Sequence, residues 1–185
     1  WIVIDGLSND NSIESLKYEL LLIDGLKEQI TIVEEEDLGI YDAMNKGVDL
    51  SIGRYFWFLN SGDVLVNANL FRGWLHQVRS EKFPPVNFFF GFVLSGKRRV
   101  PRSNFWIIWK MVTSHQAMLI HESVFLGFRY PIKLLYAADY KLTHRIIKEF
   151  PIEKNKNILI ENEPYGSELH AEKVRREYFS VCCEY

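Results

Sequence analysis

Apolar and polar positions along this chain follow two rhythms, and the changes of rhythm mark its elements. Between Glu36 and Asp63, Ile40, Met44, Val48 and Ile52 recur at steps of four with Ala43 and Gly47 beside them. That is the stripe of an amphipathic helix with room for close packing. Gly53 falls where the helix would stop, and Arg54 to Leu59 is aromatic-rich and too short for a helix, which predicts a buried strand. Asn60, Ser61, Gly62 and Asp63 then leave the strand at its C-terminal end, where ligands bind in open α/β sheets. Asp63 is thereby placed for chemistry.

The same patterns extend along the rest of the chain. Trp1 to Asp5 is a β-branched and aromatic run ending in a carboxylate. Turn residues Gly6 to Asp10 follow, then a helix over Ser12 to Lys27 with Ile13, Leu16, Leu20 and Ile23 at helical spacing and Asn11 or Ser12 as N-cap. Ile30 to Val33 is a short strand. The acidic run Glu34 to Asp37 reads as a solvated or helix-entry segment rather than a metal cluster. Asn69 to Arg79 predicts a helix, Asn87 to Leu94 a strand, and Gly96 to Arg99 a turn with a basic cluster. Phe105 to Val112, with Trp106 and Trp109, suits a flap, core packing or a partner surface equally. A strand over Gln116 to Ile120, a short helix over Glu122 to Phe125, a helix over Ala137 to Phe150 and a last strand over Asn157 to Ile160 follow. Glu168 to Val181 closes the chain as a charged amphipathic helix, packed on the sheet or lying at a membrane surface.

Composition narrows the picture. The 185 residues fit one domain, 48% hydrophobic and 25% charged, enough for a real core. The net charge of -2 excludes an overall basic footprint for nucleic acid. No apolar run is long enough to span a bilayer, and Cys182 and Cys183 are adjacent and cannot staple distant parts of the fold. A reducing cytoplasm is the expected compartment, with peripheral contact at the inner face of the membrane left open.

Four stretches, IDGLSND (Ile4 to Asp10), GIYDAMNKG (Gly39 to Gly47) with its later NSGD (Asn60 to Asp63), SHQAML (Ser114 to Leu119) and AADYKL (Ala137 to Leu142), stand in the order found in a known family. Together they resemble the inverting family 2 glycosyltransferases of the GT-A fold, in particular bacterial members that act in polysaccharide synthesis. The resemblance implies an α/β fold with a mixed central sheet flanked by helices. It also implies a single domain over 1–185, with 1–80 binding the nucleotide-sugar and 81–185 forming the acceptor side and the C-terminal helix. In that family a first strand, a nucleotide-contacting loop and a helix precede the point at which this chain opens, at Trp1 inside a strand pattern. A truncated start is therefore expected, and it bears on donor affinity.

Sugar transfer from a nucleoside diphosphate needs the leaving group neutralised, the acceptor hydroxyl deprotonated and the two aligned. By resemblance, Asp63 is the ligand of a Mn²⁺ or Mg²⁺ ion, although the family's turn carries more aspartates than this one; its other reading is a helix cap. Asp5 contacts the nucleotide base. Asp10 has a weaker claim, with turn formation or capping equally open. Asp42, Asn45 and Lys46 face the ribose and diphosphate, with a solvated Lys46 as the alternative, and Ser61 and Gly62 belong to the donor-binding turn. His115 and Gln116 lie near sugar and diphosphate, where the histidine could bind metal, bond phosphate or pack. Asp139, near a positive helix end, is the general base, and a capping role would not exclude that.

The function implied is transfer of a sugar, with inversion, from a UDP-, GDP- or dTDP-sugar to a saccharide or lipid-linked acceptor in cell-surface polysaccharide synthesis. The alternative is a non-catalytic nucleotide-binding or assembly module, whose exposed sheet edge would invite homo-oligomerisation.

Overall fold

The structure is a computed structural model that describes every residue except 24, 26, 80–83, 109, 163–169 and 185, and residue 27 by its backbone alone. The chain divides into two units, Trp1–Ile52 with Arg129–Leu135, and Gly53–Phe128 with Tyr136–Tyr185.

The first unit is a βαβα run. Strands β1 (Ile2–Asp5) and β2 (Thr31–Glu34) pair in parallel, and α1 (Ser12–Leu21) makes the crossover between them. The predicted helix to Lys27 stops at Leu21 because the apolar stripe runs out: Ile13 and Leu20 are buried, whereas Leu22 and Ile23 face solvent. Helix α2 (Ile40–Leu50) buries Tyr41, Met44 and Val48. The expected stripe is thus shifted at both ends. Ile40 is exposed, and Ile52 lies beyond the helix end and is fully exposed. Tyr41 takes the first inward position because it stacks on Tyr130, with ring centroids 5.6 Å apart. Arg129–Leu135 is stitched to α2 by Asn45, whose amide accepts from the Tyr130 N–H (2.8 Å) and donates to the Tyr130 carbonyl (2.9 Å).

The second unit is built on a mixed six-stranded sheet ordered β3-β7-β5-β8-β4, with β6 paired to β5. Its strands are β3 (Tyr55–Phe56), β4 (Val64–Leu65), β5 (Asn87–Leu94), β6 (Lys97–Arg99), β7 (Met118–His121) and β8 (Ile152–Asn162). Among the described residues of this unit, only β5 and β8 are parallel neighbours. Helix α3 (Ala68–Val78), capped by the Asn67 side chain on the Leu70 N–H (2.9 Å), buries Trp74 and Val78 against Phe88, Phe90, Leu119 and Ile160. On the other face Met118 meets Thr143 of α4 (Ala138–Glu149). Cover on both faces explains why NFFFGFVL is apolar without alternation. Helix α5 (Ala171–Cys183) stacks Tyr178 flat on Tyr140 at 4.0 Å.

Several boundaries differ from the sequence expectation for identifiable reasons. The strand predicted over Arg54 to Leu59 keeps its ladder only at Tyr55 and Phe56, yet its side chains alternate further: Tyr55 and Trp57 pack towards Trp74 and Phe71, Phe56 and Phe58 onto Phe125. Strand β8 is longer than Asn157 to Ile160, because its polar first half is held by backbone pairing with β5 rather than by burial. The strand expected from Gln116 starts at Met118, and His115–Ala117 coils into a 3-10 turn before it. Three expectations reach beyond the described residues: at residues 24 and 26 of the helix expected to Lys27, at Trp109 and at the Glu168 start of the last helix.

Candidate functional site

The predicted site residues of the first unit lie on its loops and on α2. Asp5 ends β1 with its carboxylate turned onto Ser8, accepting from the hydroxyl at 2.6 Å and the backbone N–H at 2.9 Å. Those two bonds hold its pKa below the ordinary carboxylate value. Asp10 accepts the Ser12 N–H at 3.0 Å and is likewise lowered by Ser12, so it serves the start of α1. Asp42 accepts the Leu38 N–H at 3.0 Å, as expected of a carboxylate in a first helical turn. Lys46 donates to the Glu36 carbonyl (2.7 Å) and pairs with Glu35 (3.0 Å) and Asp42 (3.7 Å). Partial burial pulls its pKa down, but the carboxylates around it outweigh that and raise it. Lys46 is therefore ion-paired rather than solvated. Asn45, expected among the donor contacts, spends its amide on the Tyr130 backbone.

In the second unit, Asn60 to Asp63 forms a turn closed by the Asp63 N–H on the Asn60 carbonyl (3.1 Å), with Gly62 at φ +85°. A positive φ at the third position is the demand of a type II turn, which Gly meets without strain. Asp63 also accepts the Asn60 N–H at 2.8 Å. It does not cap the next helix, since β4 follows directly and Asn67 caps α3. Asp63 directly precedes Val64, and Asn162 directly follows Glu161, the pair that begins the β4–β8 ladder.

The 3-10 turn at His115–Ala117 carries the second group. His115 Nδ1 lies 3.1 Å from Asp139 Oδ2, and both side chains are only 13% exposed. The other Asp139 oxygen accepts the Tyr140 N–H at 2.8 Å, the α4 end at which backbone donors have no helical partner. Among the described residues the buried His115 Nε2 has no hydrogen-bond partner. Gln116 accepts at its side-chain oxygen from Ser114 Oγ and, at 2.8 Å, from Asn162 Nδ2. The structure thus brings together His115 with Asp139, and Gln116 with Ser114 and Asn162. Sequence reasoning passed over the last two. Ser114 stood inside a quoted motif, and Asn162 is the second polar residue after the apolar run ILI, a signal too common to stand out.

No three or more His, Cys, Asp or Glu side chains converge into a metal cage among the described residues. Asp63, a single half-buried carboxylate on a turn, fits a hard divalent cation only where substrate phosphates supply most of the oxygens. Two cavities of the second unit, about 280 Å³ beside Trp74 and about 390 Å³ beside Ile107, are lined by none of Asp63, His115 or Asp139.

Over 68 residues the chain is 38% identical to the PGL/p-HBAD biosynthesis glycosyltransferases of Mycobacterium bovis and Mycobacterium tuberculosis, a match that covers 37% of this chain and 25% of those proteins. No family model matches it. Among solved structures it superposes on S. aureus TarS 1-349 in complex with UDP with a TM-score of 0.66, at 14% identity over 98% of this chain and 55% of that one. TarS 1-349 in complex with UDP-GlcNAc gives 0.65, at 13% identity over 89% and 50%. The fold is similar to that of TarS. The chain spans about a quarter of the length of the curated relatives it matches and about half that of the TarS structures. Among the described residues, no helix is long and apolar enough to cross a membrane.

Proposed function

We propose that this chain carries the donor-binding and transfer part of a GT-A glycosyltransferase of family 2, moving a sugar with inversion from a UDP-sugar to a saccharide or lipid-linked acceptor. The observation that carries the reading is the His115–Asp139 pair, a carboxylate held in register by a histidine and by a backbone N–H at the head of α4. The identity to glycosyltransferases and the likeness to TarS bound to UDP and UDP-GlcNAc support the reaction class and the donor.

In this reading Asp139 takes the proton of the acceptor hydroxyl. The freed oxygen bonds to the anomeric carbon as the bond to the diphosphate breaks, and the electron pair leaves on the diphosphate. Attack from the face opposite the leaving group inverts the centre. His115 is a positioning residue that keeps one carboxylate oxygen from rotating away. Asp5, Asp42 and Lys46 serve the nucleotide, with Asp10 in support. Asp63 would hold Mg²⁺ or Mn²⁺, which when bound supplies charge neutralisation on the diphosphate, and Ser61 and Gly62 of the same turn serve the donor. The two free thiols, Cys182 and Cys183, suit a reducing cytoplasm.

The test is release of UDP from UDP-GlcNAc, UDP-glucose and UDP-galactose, with a bacterial lipid extract as acceptor source, in Mn²⁺ and in EDTA. Acceptor-dependent release that EDTA abolishes and added Mn²⁺ restores is expected. A folded protein that releases UDP from none of them would overturn the reading.

A further inference from the structure

Asn162 ends β8 and is only 7% exposed. Both hydrogens of its amide are committed, one to Ser114 Oγ at 2.7 Å and the other to Gln116 Oε1 at 2.8 Å. Among the described residues its buried Oδ1 has no hydrogen-bond partner. With Gln116 Oε1 also accepting from Ser114, reversing the Asn162 amide alone would set two acceptor oxygens against each other. A buried acceptor left unmatched costs about 1–3 kcal/mol, so such a group in a folded protein calls for an explanation.

We propose that Asn162 Oδ1 accepts a hydrogen bond from a hydroxyl of the transferred sugar, making Asn162 a determinant of which donor sugar is used. This rests on the sugar-transfer reading above. The chemistry selects the ligand: a neutral amide oxygen beside a hydroxyl and a second amide repels phosphate oxygens and takes an O–H donor. The position selects the part of the donor. Asn162 follows Glu161 and Asp63 precedes Val64, the two residues that begin the β4–β8 ladder. A diphosphate at Asp63 therefore carries its attached sugar past Asn162. A site built to bond a hydroxyl discriminates strongly against a ligand that lacks it, because the oxygen is again left unmatched.

The experiment compares UDP with UDP-GlcNAc, UDP-glucose and UDP-galactose by calorimetric titration, for the unchanged protein, Asn162→Ala and Ser114→Ala. Asn162→Ala should fold, since the bond between Ser114 and Gln116 survives it; Asn162→Ser is read in the same way if it does not. In the unchanged protein, at least one UDP-sugar should bind more tightly than UDP. Asn162→Ala should cut that advantage ~10-fold while UDP affinity stays within about twofold, and Ser114→Ala, which leaves Oδ1 in place, should keep it. Equal losses for UDP and UDP-sugar in Asn162→Ala, the same loss in Ser114→Ala, or no advantage of any sugar in the unchanged protein would overturn the assignment while leaving nucleotide binding intact. Failure of the unchanged protein to bind UDP or any UDP-sugar would overturn the sugar-transfer reading and this assignment with it.

Discussion

His115 Nδ1 sits 3.1 Å from Asp139 Oδ2, joining the turn before β7 to the head of α4. The bond ties two segments that are 24 residues apart in the chain and gives the carboxylate one orientation. His115→Ala should therefore leave the second unit folded and lower sugar transfer about 10- to 100-fold, the worth of one hydrogen bond to a charged group. His115→Gln, which can still donate, should recover part of that rate with an unchanged KM. Steady-state kinetics of the two variants check this, and equal rates in both would exclude a positioning role.

Asn45 is a clasp for the first unit. Its amide closes two hydrogen bonds with the Tyr130 backbone, 85 residues further on. Asn45→Ala is expected to lower stability by about 2 kcal/mol, since two partly buried backbone groups lose their partners. Urea unfolding measures this. Unchanged stability with lost UDP affinity would instead assign Asn45 to the nucleotide.

His144 and His121 give stability a direction with pH. Burial pushes both imidazoles below their ordinary pKa of 6.5; Glu122 opposes this at His121, and at His144 the Ile107 backbone opposes it while Lys148 reinforces it. Between the folded value and 6.5 the unfolded chain binds protons that the folded one does not, so stability rises with pH across that window and is lost as pH falls below 6.5. The melting temperature should drop from pH 7 to pH 5.5, and His144→Gln should shrink the drop. A melting temperature that rises on acidification would contradict the neutral state of these rings.

Gly91 sits at the irregularity in the β5–β8 pairing, where a Cβ would come 2.8 Å from the Arg99 carbonyl oxygen and 2.8 Å from Ile158 Cδ1. The backbone carbonyl cannot swing away as a side chain can. Gly91→Ala is expected to cost about 1–3 kcal/mol in denaturant unfolding.

Periodic burial made much of this fold legible in the sequence. Met44 and Val48 point inward as their spacing predicts, β5 is a strand over the residues expected, and α4 lies within one residue of its expected ends. Where burial does not set the structure, the sequence carried little signal. The first half of β8, IEKNKN, is polar and exists because β5 offers its backbone. Nothing local in Arg129–Leu135 announces that it belongs with the first unit, since that placement rests on Tyr41, Asn45 and Asp49 far upstream. At the candidate site, motifs led to His115 and Asp139 but not to their contact. Asn162 was invisible because an unmatched acceptor is a property of three-dimensional surroundings and not of residue type.

Asp139→Asn, assayed for sugar transfer and for UDP binding on the same folded sample, tests sugar transfer by this chain most directly. An amide keeps the volume and can still meet the Tyr140 N–H, but it cannot take a proton from an acceptor. Transfer should fall about 10²- to 10⁴-fold with UDP affinity unchanged. Undiminished transfer in Asp139→Asn, or equal loss of transfer and UDP binding, would contradict Asp139 as the base.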